Sequence, residues 1–223
     1  MAIPKIIIQT WKTKKLPDEF AKWSLTWKKI NPTFTYLFFD DNDCFRFVFK
    51  NYPEYLNLYE SLSNIERADI FRYLALHHYG GVYVDMDTYC FKPIEPLLDL
   101  FPNSVITGIE YNDPIQYLQW FIACPKGSNV MLELANEINK RSWLKPFKML
   151  TLNDNEIIYY TTGPVMYTSI LKKSNESIAV LEKGKLGCYD KRLIDGNSYL
   201  QHFFASSWKV KNVSHFKIKG VNC

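Results

Sequence analysis

The chain has 223 residues, 47% hydrophobic and 22% charged, so it is long enough to form a folded domain and is not a disordered segment. Its formal net charge is only +4, and the sequence does not have the clustered basic residues that are typical of a nucleic-acid binder. Four lysines between residues 209 and 219 predict a solvated face or, as the lesser alternative, peripheral contact with an anionic membrane. Aromatic residues make up 16% of the chain, and we expect most of them in the core and the rest in a site for flat ligands or sugar rings.

Five cysteines lie far apart and include no Cys-x-x-Cys pair, which argues against a disulfide framework or a zinc ribbon. This usage favours reduced thiols and a cytoplasmic location. No stretch approaches the roughly 20 apolar residues of a membrane span, and the first residues indicate a strand, not a signal peptide. We therefore predict one domain over residues 1–223 with no integral membrane segment.

The first half of the chain alternates strand and helix patterns. The β-branched run Ile3–Gln9 predicts a short buried strand, and apolar residues spaced by three and four predict a helix over Pro17–Ile30. A second strand is expected over Phe34–Phe39, and a short helix capped by acidic residues over Asp40–Phe49. Such alternation predicts an α/β sheet flanked by helices.

The central part of the chain carries the clearest signals. The capping box Ser63–Glu66 predicts a helix that runs to the pair Gly80-Gly81, and a strand with period two follows over residues 82–87. The later elements expected are strands over 104–110 and 117–124, a helix over 129–143, a short helix after Gly163-Pro164, and strand and loop in the last forty residues.

Two acidic residues end the predicted strand. In an extended chain Tyr83, Asp85 and Asp87 point to one side, at the carboxyl end of a strand, where open α/β sheets place their ligands. Two close carboxylates repel each other unless a positive group lies between them, and a divalent cation that also grips a diphosphate is the natural partner. The alternative is a solvated turn with incidental acids.

Asp69 and Arg72 lie three residues apart on one edge of the preceding helix. Through the tight glycine turn this edge can face the same pocket, where Asp69 would accept hydrogen bonds from sugar hydroxyls and Arg72 would bridge hydroxyls or phosphate. The simpler alternative is a surface ion pair of about 0.3–0.5 kcal/mol.

The blocks ERADIFRY (66–73) and YGGVYVDMD (79–87) together resemble the signature of glycosyltransferase family 32, the DXD-motif sugar transferases that include the yeast initiating α-1,6-mannosyltransferases and many capsule enzymes. IPKIIIQTW (3–11) is similar to the opening strand of the family, with Ile8 where a His is usual. TGP (162–164) and HFFASSW (202–208) resemble later landmarks.

The resemblance implies a GT-A fold, a Rossmann-like mixed sheet flanked by helices, with a nucleotide-sugar donor, retention of configuration and Mn²⁺ or Mg²⁺ as cofactor. It implies catalytic roles for Asp69, Arg72, Asp85 and Asp87, and metal ligation by Asp85, Asp87 and His202. The remaining implied contacts are Gln9, Trp11, Tyr83, Ser207 and Trp208 for the nucleotide sugar, with Gln119 and Gly163 on the acceptor side.

The resemblance also implies that a hexose passes from a nucleotide sugar to a glycan or glycoconjugate, with a UDP-sugar favoured and GDP-mannose as the alternative donor. Two other functions stay open on the residues alone. One is a DXD metal-dependent phosphatase or hydrolase, although that motif wants Thr or Val where this chain has Tyr89. The other is a non-catalytic carbohydrate-binding module, for which the aromatic content argues.

Overall fold

A computed structural model describes residues 2–143 and 154–205. Its strands are β1 Ile6–Thr10, β2 Thr35–Phe39, β3 Gly81–Val84, β4 Thr88–Cys90, β5 Val105–Asn112, β6 Ile115–Tyr117, β7 Phe121–Cys124, β8 Ile178–Leu181 and β9 Leu200–His202. Its α-helices are α1 Asp18–Ile30, α2 Asp41–Asn51, α3 Leu56–Ser61, α4 Asn64–Tyr79, α5 Glu95–Leu100, α6 Asn129–Ser142, α7 Asp154–Thr161 and α8 Pro164–Leu171.

The central sheet is mixed, with the strand order β2-β1-β3-β7-β5, and both β6 and β8 pair with β5. β1 runs parallel to β2 and β3, whereas β7 runs antiparallel to β3 and β5. A separate two-stranded sheet joins β4 to β9. The predicted mixed sheet with flanking helices is therefore confirmed.

Alternate strand residues bury into two different layers, as the period of a strand requires. Ile8 and Tyr83 face a core built with α2, α4, α6 and α8, whereas Ile7 and Val82 face a second core that contains Trp27 of α1. The sheet is covered on both faces, which explains the continuous apolar runs of β1 and β3.

The helix α4 and strand β3 are joined by the sharpest turn of the fold. Glu66 closes the predicted capping box by accepting from the Ser63 amide at 3.0 Å, and the helix ends at Gly80. Gly80 and Gly81 have positive φ angles of 66° and 88°. A Cβ on Gly81 would lie 2.6 Å from the Ile6 carbonyl oxygen, so only glycine allows β3 to lie against β1 directly after the helix.

Two predicted strands have other boundaries. The strand expected over 82–87 ends at Val84, and Asp85 to Asp87 form a turn into β4, so strand alternation does not orient the acids. The single strand expected over 117–124 is two strands, β6 and β7. The link between them leaves the ladder because Leu118 and Trp120 bury into the second core.

The helices among the described residues include none that is long and apolar enough to cross a membrane. Cys44, Cys90, Cys124 and Cys188 are buried and free. The cytoplasmic location, the single domain and the membrane contact stay predictions, and the late lysines lie outside the described residues.

Trp27 should be a main determinant of stability, because its side chain has 0% exposure and its Nε1 donates to the Thr88 hydroxyl at 3.0 Å. We expect Trp27→Ala to lower the free energy of unfolding in urea by about 3–5 kcal/mol. Leu25→Ala, on the same helix but 45% exposed, should change it by less than about 0.5 kcal/mol. A loss below about 1 kcal/mol for Trp27→Ala would contradict this role for the second core.

Candidate active site

The acidic turn is fixed through its backbone. The Asp85 carbonyl accepts from the Thr88 hydroxyl at 2.6 Å and from the Gln9 amide at 3.1 Å. The Asp85 amide donates to the Trp120 carbonyl at 2.9 Å. Three residues, Gln9, Thr88 and Trp120, thus fix the backbone of Asp85 on both sides of its Cα atom.

Asp85, Asp87 and His202 form the acidic trio, a name we keep below. Their ligand atoms all lie within 4.8 Å of one another. His202 Nε2 lies 3.1 Å from Asp87 Oδ1 and 3.9 Å from Asp85 Oδ2. His202 reaches this point because β9 pairs with β4, with His202 opposite Thr88. The structure therefore brings together all three residues predicted to hold a metal.

The His202 ring is oriented by aromatic packing. It stacks on Trp120, with centroids 4.6 Å apart and planes 11° from parallel, and Phe204 meets its edge at 4.1 Å. Its Nδ1 is buried without a hydrogen-bond partner among the described residues, whereas Nε2 faces the two carboxylates. Two carboxylates and one imidazole form a donor set that suits Mn²⁺ or Mg²⁺, so these residues fit a divalent cation.

Asp87 is tied to the chain that follows β9. Its carbonyl accepts from the Phe203 amide and its Oδ2 from the Ala205 amide, each at 2.9 Å. Burial alone would raise the pKa of Asp87, but His202 and the Ala205 amide hold it below its ordinary value. Asp87 is therefore a carboxylate at neutral pH, with Oδ1 directed at His202.

Asp69 and Arg72 form a buried ion pair and not a surface pair. Arg72 Nη2 lies 2.9 Å from Asp69 Oδ1, and the Thr162 hydroxyl donates to Asp69 Oδ2 at 2.7 Å. Burial raises the pKa of Asp69 to about 6, although Arg72 and the Thr162 hydrogen bond oppose this rise.

Arg72 also connects this pair to the acidic turn. Its Nη1 donates to the Gln119 carbonyl at 2.8 Å and lies 3.7 Å from Asp85 Oδ1. Its guanidinium lies over the Tyr83 ring, 4.7 Å from the centroid. Although burial disfavours its charge, the Tyr83 phenol and two nearby carboxylates keep the pKa of Arg72 above its usual value. Asp69, Asp85 and Asp87 carry three negative charges against the one positive charge of Arg72. A divalent cation would bring the sum of these charges to zero.

Gln9 and Gln119, two of the residues predicted to contact a ligand, are buried in the protein. Gln9 has 0% exposure and is held by Asp85 and by the Tyr36 hydroxyl, which donates to Gln9 Oε1 at 2.6 Å. The Gln119 amide is buried and donates to Tyr73 and to the Thr162 carbonyl. These glutamines position site residues from inside the protein.

The ligand contacts predicted for Trp11 and Gly163 stay predictions. The Trp11 ring is half-buried and packs 4.3 Å from the Phe20 ring. Gly163 precedes α8 and follows Thr162, whose hydroxyl holds Asp69. Ser207 and Trp208 lie outside the described residues, so their predicted role on a loop over the diphosphate stays a prediction.

A cavity of about 200 Å³ opens at the carboxyl ends of β1 and β2. This is the edge where an α/β sheet binds its ligands. Thr10 connects the cavity to the surroundings of Arg72, because the Thr10 hydroxyl lies 3.4 Å from the hydroxyl of Tyr83, whose ring faces the Arg72 guanidinium. The cavity is lined by Thr10, Asp41, Asn42, Cys44, Phe45, Tyr59, Asn64, Arg67 and Ala68.

Sequence reasoning missed Glu110, a half-buried residue of β5. Burial raises the pKa of its carboxyl to about 7, opposed by His202, by a hydrogen bond from Gln116 and by Lys183. An acidic residue between Ile109 and Tyr111 in an apolar strand was the signal that could have found it.

Comparison with known proteins agrees with this geometry. Residues 17–105, which span α1 to the start of β5 and include Asp69, Arg72 and both acids of the turn, match the family described as the glycosyltransferase sugar-binding region containing a DXD motif. Residues 17–105 carry the DXD region of this glycosyltransferase family. The resemblance seen in the sequence is thereby confirmed.

The chain is similar in sequence to several yeast proteins. Inositol phosphoceramide mannosyltransferase 3 of Schizosaccharomyces pombe is 31% identical over 76% of this chain and 45% of its own length. Mannosyl phosphorylinositol ceramide synthase CSH1 of Saccharomyces cerevisiae is 29% identical over 96% and 55%. The initiation-specific alpha-1,6-mannosyltransferase of Candida albicans is 32% identical over 74% and 51%. The chain thus spans about half the length of these relatives.

Solved structures support the fold. The PaToxG glycosyltransferase superposes with a TM-score of 0.59 at 19% identity, over 77% of this chain and 70% of that one. A glycosyltransferase involved in glycosylation of the major capsid of PBCV-1 superposes at 0.51 and 13% identity, over 91% and 95%. The predicted GT-A fold is confirmed.

The titration of Asp69 tests its environment. A folded pKa of about 6 exceeds the value of about 3.9 in an unfolded chain, so the stability this group contributes is complete below about pH 4 and is lost as pH rises through about 6. Thr162→Val removes a hydrogen bond to the carboxylate, and we expect the pKa of Asp69 to rise further, measured by carboxyl ¹³C NMR without added metal.

Thr161→Val is the matched control, because the Thr161 hydroxyl donates to the Ile157 carbonyl and not to Asp69. It should leave the midpoint unchanged. An unchanged or lower midpoint in Thr162→Val would show that the hydrogen bond does not stabilise the Asp69 carboxylate.

Proposed function

We propose that this chain transfers a hexose from a nucleotide sugar to a glycan or glycoconjugate acceptor, with a divalent metal and with retention of configuration. The observation that carries the proposal is the acidic trio, set beside the buried Asp69–Arg72 pair inside the DXD region. The match of residues 17–105 to the DXD family and the GT-A fold support it. A phosphatase or a sugar-binding module would not need this combination.

The donor would lie along the carboxyl edge of the sheet. The cavity beside Thr10 would take the nucleoside, because it lies at the ends of β1 and β2 and carries both polar and aromatic groups. The diphosphate would then pass over Tyr83 towards Asp85 and Asp87. Arg72 and Asp69 would bind the hexose hydroxyls. The charge-assisted hydrogen bonds formed there would offset the free-energy cost of burying the two charged side chains.

Asp85, Asp87 and His202 would hold Mn²⁺ or Mg²⁺, which when bound supplies Lewis-acid stabilisation for the leaving diphosphate. The protein contributes the orientation of these ligands. The Ala205 amide donates a hydrogen bond to Asp87 Oδ2, so that Asp87 Oδ1 stays directed at His202. The Thr88 and Gln9 hydrogen bonds hold Asp85 in the same way through its backbone.

A retaining transfer can proceed by attack from the face that the diphosphate leaves or through a covalent intermediate. Asp69 is engaged by Arg72 and Thr162, and Asp87 by His202 and the Ala205 amide. A carboxylate held in this way is a poor nucleophile for a covalent intermediate. We therefore favour front-face attack, in which the leaving phosphate takes the proton of the acceptor hydroxyl.

Mannose is the hexose we propose first, because the named relatives are mannosyltransferases. This choice places GDP-mannose ahead of the UDP-sugars that the sequence motifs favoured. The test is a donor screen with Mn²⁺ that measures release of GDP or UDP from each nucleotide sugar. Release from no nucleotide sugar, combined with phosphate release from a monoester, would instead support the phosphatase alternative.

Asp87→Asn tests the metal assignment. The change removes one charge from the trio and should lower turnover of the active donor on the order of 100-fold or more, because a weaker cation site stabilises the leaving group less. The control is Asp99→Asn, an exposed carboxylate on α5, which should retain wild-type turnover. Turnover by Asp87→Asn within about threefold of wild type would overturn the assignment.

Ala68→Phe tests the nucleoside site. Ala68 lines the cavity, and a phenyl ring there would fill the space proposed for the base. We expect the Kd for GDP or UDP, measured by calorimetry with Mn²⁺, to rise at least about tenfold. Ala21→Phe, on the exposed face of α1, should leave nucleotide affinity unchanged. Equal affinity in both variants would place the nucleoside elsewhere.

A further inference from the structure

Three exposed tyrosines surround the half-buried carboxyl of Glu110. Tyr111, Tyr159 and Tyr189 are 39%, 37% and 61% exposed and come from β5, from α7 and from the loop before β9. Burial and the charge of Glu110 raise the pKa of all three phenols, and Gln116 bonds both the Glu110 carboxyl and the Tyr159 hydroxyl. Exposed rings that converge from three segments are unlike the single surface aromatics of an ordinary fold.

Glu110 owes its position to a β-bulge. Ile109 pairs with Tyr117 and Tyr111 pairs with Gln116, so Glu110 is the extra residue of β5 against β6. A bulge frees one residue from strand alternation and redirects its side chain, and bulges occur beside active sites. Here the bulge brings Glu110 and Tyr111, which are neighbours in sequence, to the same part of the surface.

Gln116 ties this surface together. Its Nε2 lies 3.3 Å from Glu110 Oε2 and 2.7 Å from the Tyr159 hydroxyl. The amide therefore holds the carboxyl and one ring in a fixed relation. Glu110, Tyr111, Gln116, Tyr159 and Tyr189 form what we call the tyrosine face.

The tyrosine face adjoins the acidic trio through two aromatic contacts. The Tyr189 ring stacks on Phe204, with centroids 3.6 Å apart, and Phe204 meets the His202 ring at 4.1 Å. The charge of Asp87 also raises the pKa of the Tyr189 phenol. A molecule on this face would lie next to the residues proposed to hold the diphosphate.

The chemistry of the face selects for a neutral polyol. Tyrosine rings offer flat apolar area with polar hydroxyl tips, which matches a ring whose faces carry C–H and whose edges carry hydroxyls. A carboxyl and an amide accept and donate hydrogen bonds to adjacent hydroxyls. The carboxyl would repel a phosphate or carboxylate placed against it.

We propose that the tyrosine face is the acceptor site and binds a cyclic polyol, with Glu110 accepting hydrogen bonds from two of its hydroxyls. The proposal rests on the proposed transfer function and names the acceptor subsite of the same centre. A hexose of a glycan and an inositol ring share this chemistry. Either would present a hydroxyl between Glu110 and the acidic trio.

The test is saturation-transfer NMR on the full chain with diamagnetic Mg²⁺ and GDP or UDP, using methyl α-D-mannopyranoside and myo-inositol as separate probes. We expect at least one probe to bind the wild type, and Glu110→Gln to weaken that binding at least tenfold. Tyr189→Ala should weaken it as well. The probe with the stronger signal identifies whether a hexose or an inositol ring is the preferred acceptor unit.

Two controls make the result specific. Glu133→Gln removes an exposed carboxylate of α6, and Phe49→Ala removes a 60% exposed ring of α2. Both should bind the probe as the wild type does. Nucleotide affinity measured on the same samples reports folding and the donor site independently of the polyol.

Failure of this inference and failure of the proposed function look different. Normal nucleotide binding, with no polyol binding or with binding that survives Glu110→Gln, would overturn the acceptor site alone. Absence of GDP and UDP binding in the wild type would overturn the transfer function on which it rests.

Discussion

The site depends on the buried guanidinium of Arg72. Arg72 joins Asp69 of its own helix, the Gln119 carbonyl and the carboxylate of Asp85, while Tyr83 covers its guanidinium. A buried guanidinium left without partners would cost several kcal/mol, so these groups constrain one another's positions. Helix α4, strand β3 and the link into β7 therefore cannot shift independently, and the acidic turn inherits its geometry from this constraint.

Local sequence signals predicted the elements well because their causes are local. The capping box of α4 and the glycine pair after it define that helix wherever it lies in the fold. The predicted end of β3 was wrong because side-chain hydrogen bonds to the backbone, one of them from a remote residue, end the strand early. Thr88 and Gln9 both bond the Asp85 carbonyl and draw the chain into a turn, which the period-two pattern of the DXD segment does not reveal.

Roles of individual side chains were harder to predict than the positions of motifs. The ligand contacts that the resemblance implies for Gln9 and Gln119 stay predictions, and the structure adds that both side chains are buried and bond the carbonyls of Asp85 and Thr162. Glu110 went unnoticed since its position follows from the register of β5 against β6. Register is set by pairing between strands, and a single chain read in order does not show which residue becomes the bulge.

The two-stranded sheet explains how remote parts of the chain complete one site. β4 follows the acidic turn directly, so any strand that pairs with it is brought beside Asp85 and Asp87. β9 does so, and its last residue, His202, arrives within 3.1 Å of Asp87. The backbone beyond β9 then binds Asp87 twice, and Phe204 carries the contact on to Tyr189. A change that loosens β9 would therefore disturb Asp87, His202 and the tyrosine face together while sparing the cavity beside Thr10, whose lining among the described residues lies between residues 10 and 68.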